Sequence, residues 1–99
     1  MDSLRWRQFP LKVQMGHIAA EVGRALFWEK KEDWESRKNA LIRALELIDL
    51  TMSSISGLSR RREIARLREA VGGCLIRSSI YGVTLTDLDR YFLPFCASS

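Results

Sequence analysis

The amino-acid sequence predicts an all-α fold, an antiparallel up-and-down bundle of three long helices and a short C-terminal one. Two observations predict it. Apolar residues recur at spacings of three and four in several separate stretches, the period of a helix with one buried face. Between those stretches lie short polar breaks, and short helix–helix loops make neighbours antiparallel. Nowhere does an alternating apolar–polar run read as a strand.

The chain has 99 residues, a length for one domain spanning 1–99. Residues 1–9 read as a short polar arm carrying Trp6. Pro10 suits the first turn of a helix, where its missing N–H does no harm. Leu11, Met15, Ile18, Val22, Ala25 and Leu26 then form one apolar stripe, giving a first helix from Pro10 to Lys30. Gly16, Ala20 and Gly23 make a small-residue strip on it, the pattern of a close helix–helix crossing.

The charged turn Lys30-Lys31-Glu32-Asp33 follows, with Asp33 placed to cap a second helix. Trp34, Leu41, Ala44, Leu45, Ile48 and Met52 form its stripe, and Ala40, Leu47 and Leu50 widen it. Such apolar girth belongs to a central helix or to a contact between copies of the chain, and a closed dimer is the commonest such assembly. This helix reads from Asp33 to Ser53.

The Ser-rich stretch 53–59, broken by Gly57, is the clearest loop. Ser59 is placed to cap a third helix with Ile64, Leu67, Val71, Cys74 and Leu75 on its core face. Gly72-Gly73 weakens that helix by about 1 kcal/mol per Gly relative to Ala and marks a kink or a close approach of another backbone. Tyr81-Gly82-Val83-Thr84 ends it. A short fourth helix begins near Thr86, with Asp87 and Asp89 in its first turn where the dipole favours acids. Thr84 and Asp87 have the spacing of a capping box. Leu88, Tyr91, Phe92 and Leu93 supply its apolar area, Pro94 stops it, and residues 95–99 form a fraying tail.

The formal net charge is +4, and 12 of the 16 Lys and Arg residues are Arg. Between Arg60 and Arg77 lie six arginines and two acids, an excess equal to the whole net charge. Arg60, Arg61 and Arg62 open the third helix, with Arg66 one turn beyond Arg62. Bases at a helix start oppose the dipole, so their presence points to an anionic partner. Nucleic-acid binding through Arg60, Arg61, Arg62 and Arg66, joined by Lys30 and Lys31, is one reading. Its rival is a solvated face with Glu63 and Glu69 nearby, the arginine stems covering apolar surface.

Catalytic patterns are sparse. His17 is the only histidine, and Glu21 one turn on shares its face. Together they are two ligands of an incomplete metal site or one acid–base pair. The serines lie mainly in loops and caps, no nucleophile elbow is present, and the six glycines fit neither phosphate-loop pattern. The sequence therefore predicts no catalytic, cofactor-binding or metal-binding residue. Phe27, Trp28 and Trp34 bracket the first charged turn, and packing at the end of the bundle is their expected use. Cys74 and Cys96 read as reduced thiols of a cytoplasmic protein, Cys74 buried, although sequence alone leaves a bridge between them open. No stretch approaches the roughly 20 apolar residues of a membrane span.

The segment Asn39-Ala40-Leu41-Ile42-Arg43-Ala44-Leu45-Glu46-Leu47-Ile48, followed by the Arg-rich third helix, resembles small bacterial four-helix families, including HEPN-like domains. It is similar too to the basic four-helix accessory proteins of retroelements and ribosomal intervening sequences. Catalytic HEPN ribonucleases carry an Arg followed, four to six residues later, by a His. Here Arg7, the nearest arginine before His17, is too far away, so the resemblance implies no ribonuclease. It implies a non-catalytic bacterial accessory module with a protein partner, while binding of RNA or DNA is what the arginine cluster suggests.

Overall fold

The computed structural model describes residues 3–76 and 84–92. They form five helices: α1 (Ser3–Arg7), α2 (Leu11–Lys30), α3 (Trp34–Ser54), α4 (Leu58–Leu75) and α5 (Leu85–Tyr91), with no strand among the described residues.

The stripes expected from sequence build the core. Met15, Ile18, Val22 and Ala25 of α2 meet Ala40, Leu41, Ala44 and Ile48 of α3 and Ile64, Leu67, Val71 and Cys74 of α4. Leu85, Leu88 and Phe92 close the cluster from α5. Side-chain pairs between α2 and α3 join Gln14 to Ser54, Glu21 to Arg43 and Glu29 to Arg37. Rising numbers on α2 meet falling numbers on α3, so the two run in opposite directions. Arg61 with Met52, Arg68 with Asp49 and Arg37 with Cys74 fix the same relation between α3 and α4. The wide apolar girth of α3 has its reason in this placement, since α3 packs against α1, α2 and α4.

Four expectations need correction. The N-terminal segment is more than a polar arm: residues 3–7 are helical, and Trp6 is fully buried. A helix of five residues does not hold alone. This one is held by tertiary bonds, from the Trp6 indole N–H to the Thr51 hydroxyl (3.1 Å) and from the Gln14 amide to the Trp6 and Phe9 carbonyls (2.9 and 3.2 Å). Ser59 is not the cap of α4. The helix starts two residues earlier, at Leu58, with Gly57 at its cap in a left-handed conformation (φ 96°) that favours glycine. The fourth helix begins at Leu85, capped by Thr84 in a full capping box with Asp87. The small-residue strip of α2 is not a backbone crossing: a Cβ at Gly16 would meet open space, and one at Gly23 would meet the Asp89 carboxylate at 3.7 Å.

Asp33 caps α3 as expected, accepting from the Ser36 N–H (3.0 Å) and the Ser36 hydroxyl (2.9 Å). Gly72 stays inside α4 with nothing near its missing Cβ. The expected break at 81–83, the stop at Pro94, Arg77, Cys96 and the tail at 95–99 lie outside the described residues.

Candidate nucleic-acid interface

The opposed directions of α2, α3 and α4 decide which charges share an end of the molecule. The start of α2, the last turn of α3 and the start of α4 come together, and α1 docks beside them. Arg7 of α1 donates to the Ser53 carbonyl (3.2 Å). Arg61 of α4 donates to the Met52 and Ile55 carbonyls (3.2 and 3.4 Å). Both guanidinium groups thus satisfy orphan carbonyls at the negative end of the α3 dipole.

The result is a basic end. Segments 3–20 and 50–62 carry Arg5, Arg7, Lys12, Arg60, Arg61 and Arg62 and contain no Asp or Glu. The rest of the chain therefore holds the other 10 Lys and Arg residues against all 12 acids, a balance of −2. Arg5, Lys12, Arg60, Arg62 and Arg66 are exposed, and among the described residues none of them makes an ion pair. Glu63, the acid nearest the arginine run, accepts a hydrogen bond from the Tyr91 hydroxyl of α5 (2.6 Å). Arg68, further along α4, is held by Asp49 (2.7 Å). Arg62 and Arg66, with Leu58, Ser59 and Glu63, line an open hollow on this flank.

Of the residues singled out from sequence, the structure brings Arg60, Arg61, Arg62 and Arg66 onto one helix end and leaves Lys30 and Lys31 elsewhere. The two lysines sit at the α2–α3 turn, at the opposite end of α3. That helix has 21 residues, a length of about 30 Å at 1.5 Å per residue. Arg5, Arg7 and Lys12 were missed. The signal was present in the sequence as two acid-free stretches, but only the docking of α1 and the helix directions unite them.

Of the three aromatics at the α2–α3 turn, Trp28 is half-buried and the other two are not packed away. Phe27 and Trp34 are 51% and 43% exposed. Lys31 lies over the Phe27 ring at 5.6 Å and Arg37 over the Trp34 ring at 5.9 Å. Arg37 itself is buried, bound to Glu29 (3.1 Å) and donating to the Cys74 carbonyl (2.8 Å) at the end of α4. Burial pushes the Cys74 thiol above its ordinary range.

His17 and Glu21 are engaged separately. The His17 ring packs against Trp6 and Phe9, each at 5.6 Å between centroids. Glu21 is bound by Arg24 and by Arg43, the latter at 2.8 Å. Among the described residues no three His, Cys, Asp or Glu side chains converge as a metal site, and no helix is long and apolar enough to cross a membrane. No protein-family model, curated protein or solved structure matches the chain.

Proposed function

We propose that this protein is a non-catalytic binding module that holds nucleic acid at its basic end. The reading takes the chain as an antiparallel up-and-down bundle. Arg5, Lys12, Arg60, Arg62 and Arg66 are its phosphate contacts, and Arg7 and Arg61 raise the local potential from their positions on the end of α3. The observation that carries it is segregation: six cations and no acid on the two segments that meet at one end. Charges kept for solubility are interspersed in sign, whereas a single-sign field draws in a polyanion. Such binding is largely phosphate-directed and weakens steeply with salt.

Fluorescence anisotropy of labelled DNA and RNA, titrated with the protein from low to physiological salt, tests the reading. Binding that falls steeply with salt is expected. Replacing Arg60, Arg62 and Arg66 together by Ala should lower the salt slope by about three, roughly one for each phosphate no longer neutralised, with helicity unchanged. An unchanged slope in that variant, or no binding at low salt, overturns the reading and turns attention to an acidic protein partner.

A further inference from the structure

We infer that the basic end takes a single-stranded nucleic acid, with its backbone on Arg60, Arg62 and Arg66 and one unpaired base lodged in a hollow between α4 and α5. The inference rests on the nucleic-acid reading above and narrows it.

The hollow has a volume of about 410 Å³, within the roughly 300–1,000 Å³ of small-ligand sites. Its lining combines three kinds of surface. Leu67 and Ala70 of α4 and Leu88 of α5 make one side apolar. Tyr91 supplies an aromatic ring, 40% exposed. That ring is braced. Its hydroxyl donates to Glu63 across the two helices (2.6 Å), and it meets the buried Phe92 ring edge to face at 5.2 Å between centroids. A fixed ring beside apolar side chains is a stacking surface for a base. The remaining surface is charged, from Arg66 and the carboxylates of Glu63 and Asp87. A carboxylate accepts through both oxygens, and the described bonds to the hollow's acids use Oε1 of Glu63 and Oδ2 of Asp87. Each acid thus keeps acceptor capacity for the amino group of a base.

Position ties this hollow to the cations. Glu63 and Arg66 also line the open hollow that contains Leu58, Ser59 and Arg62, so the two adjoin along one flank of α4. A phosphate on Arg66 brings its own nucleotide to the α4–α5 hollow. In a duplex the bases are paired and stacked, and extruding one costs free energy. A single strand presents its bases without that cost.

The test is anisotropy with a single strand of DNA, the same sequence as RNA, an abasic strand of equal length and the DNA duplex, in the same buffers. The base-bearing strand should bind about tenfold more tightly than the abasic one and more tightly than the duplex, the preferred strand identifying DNA or RNA as the source. Ala70→Leu fills the hollow and Tyr91→Leu removes the ring, and neither alters the net charge. Each should weaken the base-bearing strand by about tenfold with its salt slope unchanged, because the phosphates set that slope, and should leave the abasic strand's affinity unchanged. An abasic strand bound as tightly as its base-bearing counterpart overturns the inference while leaving the nucleic-acid reading standing. So do substitutions that act equally on both strands or on neither, and so does a duplex bound more tightly than its strands. Failure to bind any of the four probes overturns that reading itself. The abasic comparison uses the unaltered protein, and circular dichroism verifies that each variant is folded.

Discussion

Trp6 binds α1 to the body of the protein through three different interactions. Its ring is fully buried, its indole N–H meets Thr51, and its carbonyl accepts from the buried Gln14 amide. Trp6→Ala should destabilise the fold by about 3–5 kcal/mol, the range for removing a large buried aromatic, measured by urea unfolding. Thr51→Val keeps the shape but strands a buried indole N–H, so a smaller loss of about 1–3 kcal/mol is expected. If Trp6→Ala leaves the unfolding midpoint unchanged, α1 is not docked as described. A second residue-scale prediction concerns protons. Partial desolvation and the hydrogen bond to the Glu63 carboxylate push the Tyr91 hydroxyl up to about 12. The neutral phenol is the form the fold favours, so its contribution is complete below pH 10 and is lost as pH rises from about 10 through 12. Ultraviolet titration in a Tyr81→Phe background should show this late ionisation, and Glu63→Gln should bring it part of the way back toward 10. Asp87 behaves in the opposite sense. Hydrogen bonds from Thr84 lower its carboxyl below the ordinary range, so the capping box supports α5 at neutral pH and is lost in acid.

At the scale of elements, helix ends in this protein are satisfied by side chains from distant positions. Gln14 serves α1, Arg7 and Arg61 serve α3, and Arg37 serves α4. The end of α2 uses its own backbone instead. The Glu32 N–H bonds the Glu29 carbonyl (3.0 Å) and the Asp33 N–H bonds the Trp28 carbonyl (2.9 Å), a Schellman motif with Glu32 in the left-handed position (φ 58°). Glycine is the residue that adopts this conformation without strain, so Glu32→Gly should stabilise the protein by about 1 kcal/mol in thermal unfolding. A destabilisation would mean that the glutamate has a further interaction that outweighs the strain. The long helices were legible in the sequence because each carries a stripe of three to five large apolar residues, and Asp33 announced its own cap. α1 was not legible. Five residues cannot show a period, and the helix exists because Trp6 finds Thr51, 45 positions away. The burial of Arg37 was not legible for a different reason. This residue lies on the stripe of Leu41, Ala44 and Ile48, which should have marked it as buried, but a partner was needed and both partners come from other helices. The candidate site was half legible: the arginine run was plain, while its companions on α1 and α2 became visible only through the docking of those elements.

For the whole molecule, the decisive property is where the charge sits and not how much there is. A protein with a formal net charge of +4 attracts nucleic acid weakly wherever its cations lie, so loss of binding in an arginine variant could reflect net charge alone. Two double variants separate the cases. Arg60→Glu/Arg62→Glu and Lys30→Glu/Lys31→Glu each change the formal charge by −4, from +4 to zero, and all four residues are exposed. Their distance from the bulk of the cations differs by the length of α3, about 30 Å. At 0.1 M salt the screening length is about 10 Å, so charge reversed at the lysine end is hidden from a ligand bound at the basic end. The arginine pair should therefore lose binding by at least about tenfold, since each reversal takes away a cation that meets phosphate and adds a repulsion, while the lysine pair should change affinity by less than about twofold at that salt. Equal losses in the two variants would show that the protein attracts nucleic acid through net charge alone, and the basic end would then be no interface. Lowering the salt should narrow the difference, because the screening length grows to about 30 Å at 0.01 M and the lysine end comes within reach.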